Sequence, residues 1–280
     1  MEELVDFFAD IPKAYRSGIL IGGLVFFWVL EGIVPLYRMD YPKWKHGLVN
    51  MVFTVLSVLV VFLFAGLLLK TSEWAVANEF GLLHIVKLPL WLEVVLGVLF
   101  LDSVGAYLVH FVEHKVKWMW GFHLIHHSDT NIDVTSGLRH HPGEMIFRMT
   151  FTIMAVFLSG SSMGIIMLYQ SVSALFTHLT HANVPVFGKL DKPLSWIFVT
   201  PNMHKVHHHY QLPWTDTNFG NIFSIWDRMF GTFVYVDKME EVKYGIDTHM
   251  KEEEHSNIGN LLTIPFQKYR SPTDSKFSEE

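Results

Sequence analysis

Residues 48–69 form an apolar run without a single charged side chain. At about 1.5 Å per residue, a helix of that length crosses a hydrocarbon layer of about 30 Å. Lipid offers backbone N–H and C=O groups no partners, so a spanning segment must satisfy them within itself, as a helix does. Residues 17–37 form a second expected span, carrying Glu31, and residues 88–109 a third, interrupted by Glu93 and Asp102. Charge inside a span is costly, so these acids are expected to face protein. Residues 150–177 are again uncharged, yet as one straight helix they would extend to about 42 Å, more than one crossing needs. The serine and glycine residues at 159–162 offer a break, and a helical hairpin over residues 150–181 is expected.

Half of the residues are apolar and 17% are charged, a balance too poor in polar surface for a soluble domain of this length. The expected fold is therefore all-α, a polytopic integral-membrane helical bundle. Residues 1–236 form its membrane-embedded domain, and residues 237–280, rich in charge, form a peripheral polar tail. The absence of cysteine excludes disulfides, cysteinyl iron–sulfur clusters, thiolate-ligated haem and cysteine zinc sites together. A formal charge of −6 and no basic stripe argue against nucleic acid as a partner. The acidic start lacks the pattern of a cleaved signal peptide, so the first span is expected to act as the targeting signal.

Three histidine clusters stand in this frame: His110 and His114 in HFVEH, His123, His126 and His127 in HLIHH, and His204, His207 and His208 in HKVHHHY. Random placement of 17 histidines in 280 residues predicts about 0.06 matches to HxxHH, and the chain has two. Helical residues three and four apart share a face, so each cluster aims two or three imidazoles at one point. Eight histidines exceed the four ligands of one tetrahedral zinc and suit two ions. Imidazole alone leaves the element open; a water-poor site beside lipid favours iron and oxygen chemistry on a C–H bond over hydrolysis. The aromatic stretch at residues 118–122 marks the headgroup depth, which sets the metals at the membrane interface. To meet, the clusters must lie on one side of the membrane. Arg38, Lys43, Lys45, Lys115, Lys117, Arg139 and Arg148 place that side in the cytoplasm.

Two rival readings arise from the same residues. His110-x-x-Glu113-His114 fits an inverted zinc-peptidase motif with the glutamate as general base, but it leaves six histidines idle. A metal transporter or sensor would distribute ligands through the depth of the spans, whereas residues 48–69 hold none.

The succession HFVEH, FHLIHHS, LRHHPGE, HLTHANVP, TPNMHKVHHHY and TNFGNIFSIWDRMFGT, over residues 102–244, resembles the fatty acid hydroxylase/sterol desaturase superfamily of integral-membrane di-iron enzymes. The resemblance implies an oxygen-dependent lipid hydroxylase, desaturase or related monooxygenase. It assigns two iron ions to the eight clustered histidines, with His178 and His181 standing where a further box supplies ligands in some members. The spacing of that pair is one residue narrower than the family's usual one. His141 before Pro142 resembles the family's Arg-x-His-Pro element, with Arg139 and Glu144 expected as an ion pair bracing the loop. Asp102, Asn183, Asn218 and Asp227 are candidates for holding the outer nitrogens of the ligands, as groups behind a metal's ligands do, and His209 is expected to be exposed. The expected partners are a lipid substrate, dioxygen and a separate electron donor, a cytochrome b-type protein or a ferredoxin. No G-x-G-x-x-G fingerprint is present, so directly bound NAD(P)H is not expected; bound haem is not expected either.

Overall fold

The computed structural model describes residues 1–185, 187–237 and 239–274. The described residues form helices and two isolated β-bridges, with no strand. A short helix α1 (Glu2–Ala9) precedes three long ones: α2 (Lys13–Ile33), α3 (Lys43–Ala77) and α4 (Leu90–Lys115). Next come α5 (Lys117–His127), α6 (Pro142–Ser159), α7 (Met163–His181) and α8 (Pro201–His207). Four helices, α2, α3, α4 and α7, are long and apolar enough to cross a membrane, and the chain is an integral membrane protein. Phe62 and Leu63 on α3 are each 78% exposed, a waste of apolar surface in water but the natural outer face of a helix in lipid.

Hydropathy locates the spans but not their ends. Helix α3 starts at Lys43 behind Pro42, whose missing N–H makes no difference at a helix start, and it runs on past the uncharged run. Its 35 residues extend about 52 Å, far more than the hydrocarbon requires. One end therefore reaches the histidine clusters, where the His46 imidazole lies 2.8 Å from Asp129 and 3.0 Å from Asp133. The other end reaches the far turn, where Ser72 donates to the Ser161 carbonyl at 2.9 Å. Glu31 and Asp102 are buried against protein, whereas Glu93 is only half-buried.

Helices α6 and α7 leave the histidine end and return to it, the reversal falling at Gly160 with φ 75°. A Cβ at Gly160 would stand 2.2 Å from the Phe80 carbonyl oxygen, and one at Gly81 (φ 114°) 2.5 Å from the Gly160 nitrogen. Both strain and overlap therefore oppose a side chain here. Gly160→Ala is expected to destabilise the protein by about 2 kcal/mol or more, read as a lower unfolding temperature in detergent.

Beyond residue 237 the chain is not all peripheral. Ile246, Leu261 and Ile264 are buried with Phe53 of α3 and with Trp120, Leu124 and Ile125 of α5, so this segment caps the helix that bears the second histidine cluster. Widely spaced apolar residues in a charged stretch carry no periodic signal, which is why composition reads the segment as a tail. Residues 275–280 of that expected tail lie outside the described residues.

Candidate metal centre

The chain turns sharply where the first two clusters meet. A widened π-type stretch, Ser103–Leu108, ends just before His110, and such stretches recur at functional sites because they rotate the next turn. Val116 then breaks the helix in an extended conformation (φ −106°, ψ 109°), folding α5 back against α4. The third cluster rides on α8, which Pro201 opens and the Thr200 hydroxyl caps by accepting from the Met203 N–H. These elements bring nine imidazoles into two adjoining groups. His110, His114, His123, His127 and His207 form one and His126, His181, His204 and His208 the other, each with its facing nitrogens within 4.8 Å of one another. The groups share a wall, since the His127 and His208 rings stack at 4.7 Å.

The ring tautomers show what these groups fit. His110 Nδ1–H donates to the Phe219 carbonyl at 2.9 Å and His123 Nδ1–H to Glu144 at 2.8 Å. Their Nε2 atoms, with no proton left, face each other at 3.0 Å. His181 Nδ1–H likewise donates to the Thr177 carbonyl at 2.9 Å, baring an Nε2 that lies 3.0 Å from that of His204. His207 Nδ1–H donates to the Thr217 carbonyl at 2.6 Å, and its Nε2, like both nitrogens of His208, is buried without a hydrogen-bond partner among the described residues. Bare lone pairs this close repel one another unless a cation stands between them. With metal–nitrogen bonds of about 2.1 Å, ligand nitrogens lie about 3.0 Å apart at right angles and about 3.4 Å apart at tetrahedral angles. The observed contacts, 3.0 to 3.4 Å, span that interval, so the residues present fit metal ions.

Burial also keeps the rings neutral. It pushes His126, His127, His204, His207 and His208 well below the ordinary imidazole value, with neighbouring imidazoles adding to the shift. It brings His123 from 6.5 to about 4, against the upward pull of Glu144. In the metal-free protein each such ring stays uncharged while the denatured chain takes up a proton below 6.5. Stability is thus complete above that value and declines as the pH falls from 6.5 toward 4. The metal-free protein is expected to unfold at a clearly lower temperature near pH 5 than near pH 7, as followed by thermal melts in detergent.

Several sequence candidates sit elsewhere. His178 joins neither group: it lies against α2, where its Nε2–H donates to the Leu20 carbonyl at 3.0 Å. Asp102 accepts from the Ile222 and Phe223 N–H groups and from the Trp226 indole, and Asp227 from the Phe219 and Gly220 N–H groups. Neither touches a ring nitrogen of the two groups. Their carboxylates shape the loop whose Phe219 carbonyl holds His110. Asn218 braces the same loop, accepting from the Val234 N–H and donating to the Met203 and Val234 carbonyls. Asn183 pairs with the backbone of Tyr37, and His141 caps α6, accepting from the Gly143 N–H. His209 is half-buried beside Trp214 and outside both groups.

The expected Arg139–Glu144 pair does not form. Arg139 is buried among Asn50, Ser128 and the Ile125 carbonyl. Glu144 takes Arg148, and Arg148 also holds Glu113 at 2.8 Å. Glu144 Oε1 thus accepts from His123, His140 and Arg148 together, a hydrogen-bonded cluster rather than a third metal group. The His140 ring stacks on His126 at 4.6 Å; its contribution has no signal in the spacing of the clusters. A cavity of about 410 Å³ reaches His114 past Trp120, Tyr210, Leu212 and Ile246, with the Lys115–Asp216 ion pair in its wall.

Comparison with known proteins agrees with this architecture. The fatty acid hydroxylase family model matches residues 94–232. The ornithine lipid hydroxylase OlsE of Rhizobium tropici is 33% identical over 145 residues, covering 52% of this chain and 43% of that protein. The alkylglycerol monooxygenase of Homo sapiens is 28% identical over 255 residues, covering 89% of this chain and 52% of that protein. A cholesterol 25-hydroxylase-like protein of Danio rerio is 27% identical over 167 residues, covering 51% of this chain and 52% of its own length. The chain spans about half or less of the length of these curated relatives. No solved structure matches. Through residues 94–232, the segment that carries all nine grouped histidines, the chain belongs to the fatty acid hydroxylase family.

Proposed function

We propose that the chain is a membrane-bound lipid hydroxylase in which the two histidine groups hold two iron ions, fed with electrons by a separate carrier. The observation that carries this reading is the pair of adjoining, buried, all-imidazole groups at the end of a membrane span. When bound, iron supplies the activation of dioxygen and the oxidation of a C–H bond. The chain's own residues do the rest. The Phe219, Thr217 and Thr177 carbonyls and Glu144 orient the rings of His110, His207, His181 and His123 so that lone pairs, not protons, face inward. The buried walls exclude bulk water. The cavity at His114 admits the polar end of an amphiphile, so the carbon attacked lies near the headgroup. The relatives are named as hydroxylases and monooxygenases, which favours hydroxylation over desaturation. Lysine and arginine on the histidine side favour a cytoplasmic centre under the positive-inside rule.

The peptidase reading fares worse. Glu113, its required base, is wholly buried and bound to Arg148 at 2.8 Å, and His110 and His114 share their group with three more histidines. The test compares lipid extracts from cells expressing the wild-type chain, His208→Ala or an empty vector. Mass spectrometry should find a lipid that gains one oxygen atom in the wild type alone. Identical extracts with well-expressed protein and ample reductant would overturn the proposal.

A further inference from the structure

Residues 217–236 follow the third histidine cluster and hold one short helix, Ile225–Met229. They pack at the depth of two helices that cross the membrane. The Ile222 and Phe223 N–H groups and the Trp226 indole donate to Asp102, which stands midway along α4 (Leu90–Lys115). On the other flank the Asn221 amide donates to the Ser173 hydroxyl at 2.6 Å, and its oxygen accepts from Thr177 at 3.2 Å. Ser173 stands midway along α7 (Met163–His181). Ile222 is buried with Leu101 of α4 and with Ile166 and Tyr169 of α7. Nearer the histidines, the Phe230 ring stacks on Tyr107 at 5.4 Å and the Phe219 ring packs on His110 at 5.5 Å. The segment therefore runs along α4 from the histidine end to mid-span.

Irregular backbone is tolerated at that depth only where the protein itself satisfies it. Two buried acids do so here: Asp102 takes the Ile222 and Phe223 N–H groups, and Asp227 takes those of Phe219 and Gly220. The Ser224 N–H donates to the Ile197 carbonyl at 3.0 Å and the Thr232 N–H to the Asp227 carbonyl at 2.8 Å. A loop in water has solvent for these groups and gains little from burying carboxylates, which is costly. The outer side of the loop is apolar. Trp196, Ile197, Met229 and Phe230 are between 54% and 69% exposed, and they continue the outward face of α4, where Leu108 is exposed too. Arg228, the one cation of residues 217–236, stacks over the Trp196 and Phe233 rings at 4.0 and 3.6 Å, whose faces offset its charge. Exposed charge returns at Lys192 and Asp237, paired at 2.7 Å, which marks the water level on either side of the loop.

We propose that residues 217–236 form a re-entrant loop that enters the bilayer from the histidine side, with Trp196, Ile197, Met229 and Phe230 against the acyl chains of that leaflet. The Thr217 and Phe219 carbonyls of the same loop hold the His207 and His110 rings, so the hydrocarbon supports the element that orients two rings of the five-histidine group. The inference rests on the membrane spans and not on the metal chemistry.

The chain contains no cysteine, so a single introduced cysteine carries a bimane fluorophore without background. Met229→Cys, Phe230→Cys and Trp196→Cys are labelled in the full chain and placed in phosphatidylcholine vesicles. Leu63→Cys serves as the lipid-facing reference and Lys192→Cys as the aqueous one. Phosphatidylcholine brominated in its acyl chains should quench the three labels as it quenches Leu63→Cys. Iodide on both sides of the membrane should quench Lys192→Cys and leave the three unchanged. The replaced side chains are exposed, and Met229→Cys and Phe230→Cys keep the test valid if Trp196→Cys, which loses the ring under Arg228, does not fold. Iodide quenching equal to that of Lys192→Cys would put the loop in water, and protection from both quenchers would put it under a second copy of the chain. Either result would overturn the proposal.

Discussion

Replacing His207 with alanine is expected to abolish lipid hydroxylation and to empty the five-histidine group of metal. The His207 ring lies 4.5 Å from that of His127, 4.6 Å from His110 and 4.9 Å from His114, so it is central to the group. Its Nδ1–H is committed to the Thr217 carbonyl and its Nε2 has no hydrogen-bond partner among the described residues, which leaves coordination as the use of that lone pair. Loss of a group that merely orients a ligand costs about 10–100-fold in metal affinity or activity, and loss of the ligand itself should exceed about 100-fold. Two neighbouring histidines give the control. His209 and His178 lie outside both groups, so His209→Ala and His178→Ala should retain full metal content. Metal analysis beside lipid mass spectrometry reads both outcomes. Full activity in His207→Ala would contradict the assignment.

Arg148→Ala should have the largest effect on the fold. Arg148 holds Glu113 and Glu144 at 2.8 Å each, and both carboxylates are wholly buried. Removing one partner of a buried ion pair strands the other, at about 3–5 kcal/mol. The arginine side chain is itself 22% exposed, so water recovers part of that loss and about 3 kcal/mol is the better figure. Arg148→Lys keeps the charge but not the fork that reaches two carboxylates, and it should fall between alanine and wild type. Restoring neutrality by Glu113→Gln on the alanine background should regain stability. Unfolding followed in detergent orders the four proteins, and an alanine variant as stable as wild type would show that the network contributes nothing.

The long helices were legible because lipid imposes a simple rule, and residues 48–69 obey it without exception. Their ends were not: Pro42 sets the start of α3 by backbone chemistry that hydropathy does not sense. The clustering of histidines was legible for a similar reason, since HxxxH and HxxHH fix faces on a helix before any tertiary contact forms. His178 and His181 show the limit of that rule. Three residues turn a helix by about 300°, and the remaining offset suffices to send His178 toward Gly23 on α2, whose Cβ would stand 3.0 Å from its ring, while His181 meets His126 and His204. Backbone carbonyls hold three of the nine rings, at Phe219, Thr217 and Thr177, and a carbonyl is invisible in a sequence because every residue has one. Asp102 and Asp227 are expected at the outer nitrogens of the ligands, but their effect passes through the loop they shape. Glu144 was noticed too, yet paired with the wrong arginine: Arg148 is one turn along the same helix, a neighbour by helical spacing that Arg139 in the preceding loop is not.

The central claim is that the nine histidines form two separate sites for iron. Metal analysis of the purified chain, loaded with ferrous iron without oxygen, tests it most directly when wild type is set beside variants of one histidine from each group. The account predicts two iron ions per wild-type chain, and one in both His207→Ala and His204→Ala, one variant for each group. A single ion in the wild type, or the loss of all metal from either variant, would contradict it.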